Sequence, residues 1–395
     1  MNIIRYLKRN GFRYALNVLY QYKIQKILDL IVIRVTKFKK LQNIIVIECH
    51  TDFDNNGGAF YDYLIRNNYN KKYKIILLLK NRLVRTLPEN VDYFYLKKPS
   101  LRKAYLLSLS KFFLFDNDIL EKYRDDQIFF YLTHGGFSLK NTAGKIYVPD
   151  HVDYVLSPSN SVDDILMKQY GMKTKDRFLH IGFPCQDVLY SEKHDHEFLS
   201  NFNKSIVWAP TFRKGGGHNR NDSLNDLPLG IPLVETIDDL IKLNRYLSSR
   251  NIGLVIKLHP MQDLSGVELI QLSHIIFLTN KELSDKNIDI YKLLVISDAL
   301  ISDYSAISFD YLHLNKPLAY VFSDLKDYKL GLSVDDVEQF IAGDKILALS
   351  DLYSFIDSVS NNFDNNQRER QQLFDRIFEK QDGGSCERLA KFMGL

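Results

Sequence analysis

Short apolar runs alternate with amphipathic segments along most of the chain. The run Asn43-Ile-Ile-Val-Ile-Glu48 is ended by a polar, glycine-containing turn from Thr51 to Gly58, and a helix is predicted from Ala59 to Asn67. Further strands are predicted over 74–79, 111–115, 127–132, 153–157 and 178–182. After the polar stretch 191–204 a second series predicts strands over 205–209, 253–258, 275–278, 294–296, 299–301 and 318–321, with helices over 237–249 and 305–314. Runs that are apolar without alternation predict strands buried on both faces, as in a parallel sheet covered by helices. The expected fold is α/β, with two Rossmann-like domains facing across a cleft and a boundary near residues 190–204. No internal repeat points to a solenoid.

The first 40 residues follow a different pattern. They read as helical, with Ile3, Ile4, Leu7, Phe12, Ala15, Leu16 and Leu19 sharing a broad face flanked by Arg5, Arg9 and Arg13. Ten cations and one anion, Asp29, lie in this segment, a net +9 within a chain whose total is only +4. The rest of the chain therefore sums to −5, a mildly acidic body behind a basic head. The 395 residues, 45% hydrophobic and 25% charged, exclude disordered and fibrous classes. The small total charge argues for no nucleic-acid partner. Cys49, Cys185 and Cys386 are odd in number and far apart, which fits a reduced, cytosolic setting. No apolar run approaches the ~18–20 residues needed to span a bilayer, and Ile27 to Ile33 lacks a signal-peptide cleavage pattern.

Ligands of open parallel sheets gather at the carboxyl ends of strands. His134 follows one predicted strand and is itself followed by Gly135 and Gly136, which leaves the imidazole little backbone obstruction. Its near-neutral pKa suits proton abstraction from an alcohol. His259 ends another strand and is held extended by Pro260. Each histidine equally suits a structural role in a turn. Ile301-Ser-Asp-Tyr-Ser305 passes from strand to helix, so Ser305 beside free helix N–H groups offers an anion site. Ser and Asp are also ordinary helix caps. The glycine triplet in Arg213-Lys-Gly-Gly-Gly-His218 reads as a lid, a phosphate contact or a plain surface loop. Asp52, Asp54, Asn55 and Asn56 have a metal-like look that turn chemistry explains, and Asp116-Asn-Asp118 is a weaker candidate. No P-loop, dinucleotide fingerprint, nucleophile elbow or zincin motif is present.

Several segments in fixed order resemble one family. They are Asp54 to Leu64, Thr133-His-Gly-Gly-Phe-Ser-Leu-Lys140, Tyr154 to Ser159, Ile181-Gly-Phe-Pro184, Trp208-Ala-Pro-Thr-Phe-Arg213, Lys257-Leu-His-Pro260, Ser302-Asp-Tyr-Ser305, Phe309-Asp310 and Lys316-Pro317. Together they are similar to the CDP-glycerol glycerophosphotransferases, the teichoic-acid primases and polymerases and their capsule-building relatives. The resemblance implies a GT-B-like fold with domains at 41–190 (acceptor) and 205–395 (CDP donor) behind a basic segment at 1–40. It implies transfer of an alditol phosphate, glycerol phosphate foremost, from CDP-glycerol or CDP-ribitol to a hydroxyl of a lipid-linked or polymeric acceptor, with release of CMP. No cofactor or metal beyond that donor is implied.

Carried over by motif, His134 is the general base and His259 contacts the donor pyrophosphate. Ser305, Asp303, Tyr304, Thr211, Arg213 and Lys257 lie on the donor side, and Gly135, Gly136 and Lys140 on the acceptor side. The chain departs from the family pattern at Thr133 (usually Trp), Gly136 (a small hydroxyl residue), Cys185 (Arg) and Ala306 (Ser). The resemblance also gives the basic head a purpose: an anionic membrane surface, with the protein peripheral at the inner face of the cell membrane. A helical cap with solvated charges is the plainer alternative. A nucleotide-sugar glycosyltransferase and an inactive scaffold of a polymer-synthesis complex stand as rival functions.

Overall fold

A computed structural model of the chain describes residues 12–191, 199–211, 227, 229–257, 272–286 and 288–395. A long helix, α1 (Phe12–Thr36), precedes a seven-stranded parallel sheet. Its strands are β1 (Gln42–Glu48), β2 (Lys74–Leu79), β3 (Val91–Tyr95), β4 (Ser110–Phe115), β5 (Ile128–Tyr131), β6 (Tyr154–Leu156) and β7 (Phe178–Leu179). They lie in the order β3-β2-β1-β4-β5-β6-β7. The six strands of the second sheet are β8 (Lys204–Trp208), β9 (Ile252–Lys257), β10 (Ile275–Leu278), β11 (Ala299–Ser302), β12 (Leu318–Val321) and β13 (Asp344–Ile346). That sheet is also parallel, in the order β10-β9-β8-β11-β12-β13. In each sheet the order reverses at one point, between β1 and β4 and between β8 and β11. A crevice forms at such a point because the chain leaves the two neighbouring strands toward opposite sides.

The continuous apolar runs are the reason for this arrangement. Ile44 to Ile47, Ile75 to Leu79 and Phe112 to Phe115 are all buried, as expected where helices cover both faces. Leu294 to Ile296, expected as a strand, is instead the end of a helix, Ile290–Ile296, capped by the Asp289 carboxylate accepting from the Lys292 N–H at 2.8 Å. A three-residue apolar run has no readable period, so the upstream cap decided the outcome. The edge strands β3 and β13 escaped prediction because their exposed and buried positions are mixed. The helix expected over 305–314 is α-helical only from Ala306 to Asp310 and continues as a 3₁₀ turn over Tyr311–Leu314.

The last helices, Gln367–Ile377 and Ser385–Met393, lie against the first sheet. Phe392 meets Tyr154 edge-on at 4.8 Å, the Ser159 hydroxyl donates to the Ile377 carbonyl at 2.7 Å, and Asp187 accepts from the N–H groups of Ser385 and Cys386 at 2.8 Å each. The chain thus crosses back and straps the two sheets together.

Candidate functional site

The strand ends flanking the reversal points carry the polar groups of the cleft. At the end of β1, the fully buried Glu48 carboxylate accepts from the N–H groups of Asp116, Asn117 and Asp118 at 3.0–3.1 Å. It also pairs with Lys80 at 2.6 Å, and Lys80 pairs with Asp118 at 2.9 Å. Burial pushes the Glu48 pKa up, and the Lys80 ammonium opposes that rise. The Lys80 ammonium donates as well to the His50 carbonyl at 3.0 Å, which ties this charge cluster to the loop after β1. The His50 ring in turn stacks on His134, with centroids 4.5 Å apart and planes 18° from parallel.

His134 stands in the loop after β5 and is exposed to solvent. Desolvation by the surrounding protein, followed by the neighbouring His50, lowers its pKa to about 4; the Asp116 backbone acts in the opposite direction. The imidazole is therefore neutral at physiological pH and has a free lone pair to accept a proton. Its loop is held in an unusual shape. Thr133 has φ 65°, a left-handed conformation that costs a β-branched residue of order 1–3 kcal/mol. Asn56 offsets that cost: its fully buried side-chain amide donates to the carbonyls of Leu132 at 2.9 Å and Thr133 at 3.0 Å. The same amide accepts from the Cys185 N–H at 3.1 Å. One side chain at the start of the helix Asn55–Arg66 thus fixes two loops of the cleft. The preceding turn supplies that helix with its cap, Asp54, while Asp52 accepts from the N–H groups of Lys80 and Asn81 at 2.8 Å. Turn and capping roles account for the acidic pattern seen in the sequence.

The second domain meets this loop at the end of β11. The 1%-exposed Asp303 carboxylate accepts from the Thr211 N–H at 2.7 Å, the Thr211 hydroxyl at 2.6 Å and the Ser305 N–H at 3.1 Å. It orients the two loops at the second reversal point. Ser305 is half-buried at the N-cap position of the short helix Ala306–Asp310, and Tyr304 turns inward, its ring 4.1 Å from that of Tyr328. Tyr304 therefore shapes the loop from beneath. At the end of β9, desolvation lowers the Lys257 pKa to about 8, with Asp54 of the first domain opposing the shift across the cleft. His259, Arg213 and the glycine triplet lie outside the described residues.

The two halves make direct contact. A Cβ on Gly135, which has φ 148°, would lie 3.7 Å from the Ala306 Cβ, and one on Gly136 would lie 2.6 Å from Asp310 Oδ1. Any side chain at 136 would collide with that carboxylate. Leu139 donates its N–H to the Tyr304 carbonyl at 3.3 Å, Phe137 meets Phe309 edge-on at 4.8 Å, and Lys140 forms an antiparallel bridge with Leu332. Asp310 is buried and accepts from the Gln186 amide at 2.6 Å and the Tyr291 hydroxyl at 3.1 Å. Burial pushes its pKa up to about 7.

The structure thus brings the loop that carries His134 against the segment that carries Asp303, Ser305 and Asp310, through Gly135 on Ala306, Gly136 on Asp310 and Leu139 on Tyr304, while Lys140 pairs with Leu332. Thr211 is bonded to Asp303, and Lys257, at the end of β9, faces the charge of Asp54. Sequence reasoning missed Glu48, His50, Asn56 and Lys80 as supports of His134. The strand-end rule applied to β1 and β2 would have named Glu48, His50 and Lys80. Asn56 bears no such signal, because its three bonds are to backbone groups far away in sequence.

Residues 30–394 match a family described as CDP-glycerol:poly(glycerophosphate) glycerophosphotransferase. The chain is 27% identical over 372 residues to the teichoic acid glycerol-phosphate primase of Bacillus subtilis (strain 168), covering 86% of this chain and 89% of that protein. It is 27% identical over 262 residues to the teichoic acid ribitol-phosphate primase of Bacillus spizizenii, covering 62% of this chain and 60% of that protein. The solved structure of the wall teichoic acid polymerase TagF superposes with a TM-score of 0.72 at 21% identity, covering 100% of this chain and 98% of that one. That likeness establishes the two-sheet, GT-B-like fold.

Proposed function

Because the chain belongs to the CDP-glycerol:poly(glycerophosphate) glycerophosphotransferase family, we propose that it moves an alditol phosphate from a CDP-alditol, CDP-glycerol or CDP-ribitol, to a hydroxyl of a lipid-linked or polymeric acceptor. The acceptor oxygen attacks the phosphorus that bears the alditol. A phosphodiester bond forms, the bond from that phosphorus to the bridging oxygen breaks, and CMP leaves with the bonding electrons. His134 takes the hydroxyl proton at its free ring nitrogen. The observation that carries this reading is the neutral His134, braced by His50 and Asn56, in a loop that abuts the Ser305 helix start across the domain boundary. Ser305, Lys257 and Thr211 serve the donor phosphates, with His259 and Arg213 as further candidates. The incoming pyrophosphate brings negative charge beside His134, which raises its pKa from about 4 toward the working range of a base. Positioning and charge stabilisation supply most of the rate. Incubation with CDP-glycerol or CDP-ribitol and a glycerol-phosphate-bearing acceptor is expected to release CMP; no release with any CDP-alditol would sink the reading.

The same reading places the protein at the inner face of the cell membrane, held there by α1. No described helix is long and apolar enough to cross a membrane. On its inner side α1 buries Val32 and Thr36, and Gln25 accepts from the Ser100 N–H at 2.9 Å. On the outer side Tyr20, Ile27, Leu30, Ile31 and Val35 are exposed, beside Lys23, Lys26 and Arg34. A stripe of this kind suits shallow insertion among headgroups, where each nearby cation contributes about 1 kcal/mol on an anionic surface.

A further inference from the structure

A cavity of about 540 Å³ opens at the carboxyl ends of β2 and β3. Asn17 and Gln21 of α1 form one wall. Lys80 and Arg82, just past the end of β2, and Tyr95, Lys97 and Lys98, at the end of β3, form the other. No described lining residue is acidic. Lys80 already neutralises Glu48 and Asp118, but Arg82, Lys97 and Lys98 are exposed and enter no ion pair among the described residues. The Lys98 ammonium lies 4.4 Å from the centre of the Tyr95 ring, a contact that leaves its remaining directions open to an anion.

From this structure we propose that the cavity binds the anionic stem of the acceptor, the phosphodiester-bearing chain behind the hydroxyl that reacts. This rests on the transferase reading above and adds to it a second, cationic subsite. The position follows from connectivity. Lys80 lines the cavity and bonds the His50 carbonyl, and His50 stacks on His134. A chain that presents its terminal hydroxyl to His134 has its next phosphates directed past His50 into a cavity whose uncompensated charges are all positive. The carboxyl ends of β2 and β3 continue the crevice in which parallel sheets hold ligands. α1 closes the outer wall with amide side chains, which donate to phosphate oxygens without adding charge. A polyol alone has no use for three unpaired cations, whereas a polymer with a phosphate in every repeat is drawn to them.

Equilibrium binding of a short, water-soluble oligo(glycerol phosphate) tests the subsite, with an uncharged polyglycerol of equal length as the control. The combined variant Arg82→Gln, Lys97→Gln, Lys98→Gln changes only exposed side chains. It is expected to bind the oligomer at least about tenfold more weakly at low salt, with a shallower salt dependence. Its affinity for CDP-glycerol is expected to match that of the unaltered protein. Unchanged oligomer affinity, or equal binding of polyglycerol to the unaltered protein, overturns the proposal. So does an unchanged oligomer affinity accompanied by lost pelleting with vesicles containing anionic lipid, which would assign the cavity to lipid headgroups. A protein that binds the oligomer through these cations but neither binds nor turns over any CDP-alditol would refute the transferase reading and leave the anion site standing.

Discussion

Asp310 offers the sharpest quantitative test of the domain contact. Its carboxyl is buried against Gly136 and accepts from the uncharged donors Gln186 and Tyr291, with the Cys185 thiol 3.1 Å from the Tyr291 hydroxyl. No cation pairs with this carboxylate among the described residues. Desolvation raises the pKa to about 7, with the two hydrogen bonds opposing the rise. The unfolded chain loses this proton near pH 3.8, while the folded chain keeps it to about pH 7. Between those values the folded state binds more protons than the unfolded state, so stability falls as pH rises and the loss is complete above about pH 7. The gap from 3.8 to about 7 corresponds to roughly 4 kcal/mol at most. Asp310→Asn removes the charge and keeps both partners, since its oxygen accepts from Gln186 and its amide donates to the Tyr291 oxygen. Thermal unfolding at a series of pH values should show the variant melting several degrees higher than the unaltered protein on the alkaline side, with the two curves converging toward the acid end. A variant that melts lower at alkaline pH, or a difference that does not change with pH, would show that the ionised carboxylate is favoured in place and that this reasoning is wrong.

His134→Ala should lower the rate of CMP release at least ~10²-fold with little change in donor affinity; a rate within a few-fold of the original would assign the proton transfer elsewhere. With donor bound, the acidic limb of the kcat profile should lie above pH 4, because pyrophosphate charge favours the imidazolium; a limb at or below that point would remove the anion from beside the ring. Asn56→Ala strands two carbonyls and one N–H and should cost about 2–4 kcal/mol of stability along with a large drop in kcat. Asn56→Asp should not rescue it, having no donor for the carbonyls, and full activity in either variant would refute the clamp. Replacing Ile27, Ile31 and Val35 with Gln should weaken pelleting with anionic vesicles while leaving the melting temperature unchanged, and unchanged pelleting would make α1 a plain structural cap.

Most of the architecture was legible in the chain because parallel sheets leave a strong local mark. A strand such as Ile75 to Leu79 is buried on both faces, so every residue is apolar and the run stands out from its surroundings. Where burial is partial, as in Val91–Tyr95, that mark fades, and Leu294–Ile296 shows that three apolar residues fit a helix as well as a strand. The candidate site was legible to the extent that chemistry sits at strand ends, the rule that singles out His134, Asp303 and Ser305 as candidates.

Pattern and order along the chain, without coordinates, determined an α/β protein with two Rossmann-like sheets, a basic head and a likeness to one transferase family. Only the tertiary structure decided which groups share a dielectric environment. His50 lies 84 residues before His134 yet stacks on it, and Asn56 bonds Cys185 across 129 residues of sequence. The role of Gly136 is set by a carboxylate from the other domain. Strand runs are read from neighbours in sequence, which the sequence contains. The pKa of Asp310, the shape of the His134 loop and the cationic cavity beside α1 depend on neighbours in space, and those exist only after the sheets have formed and the last helices have strapped them together.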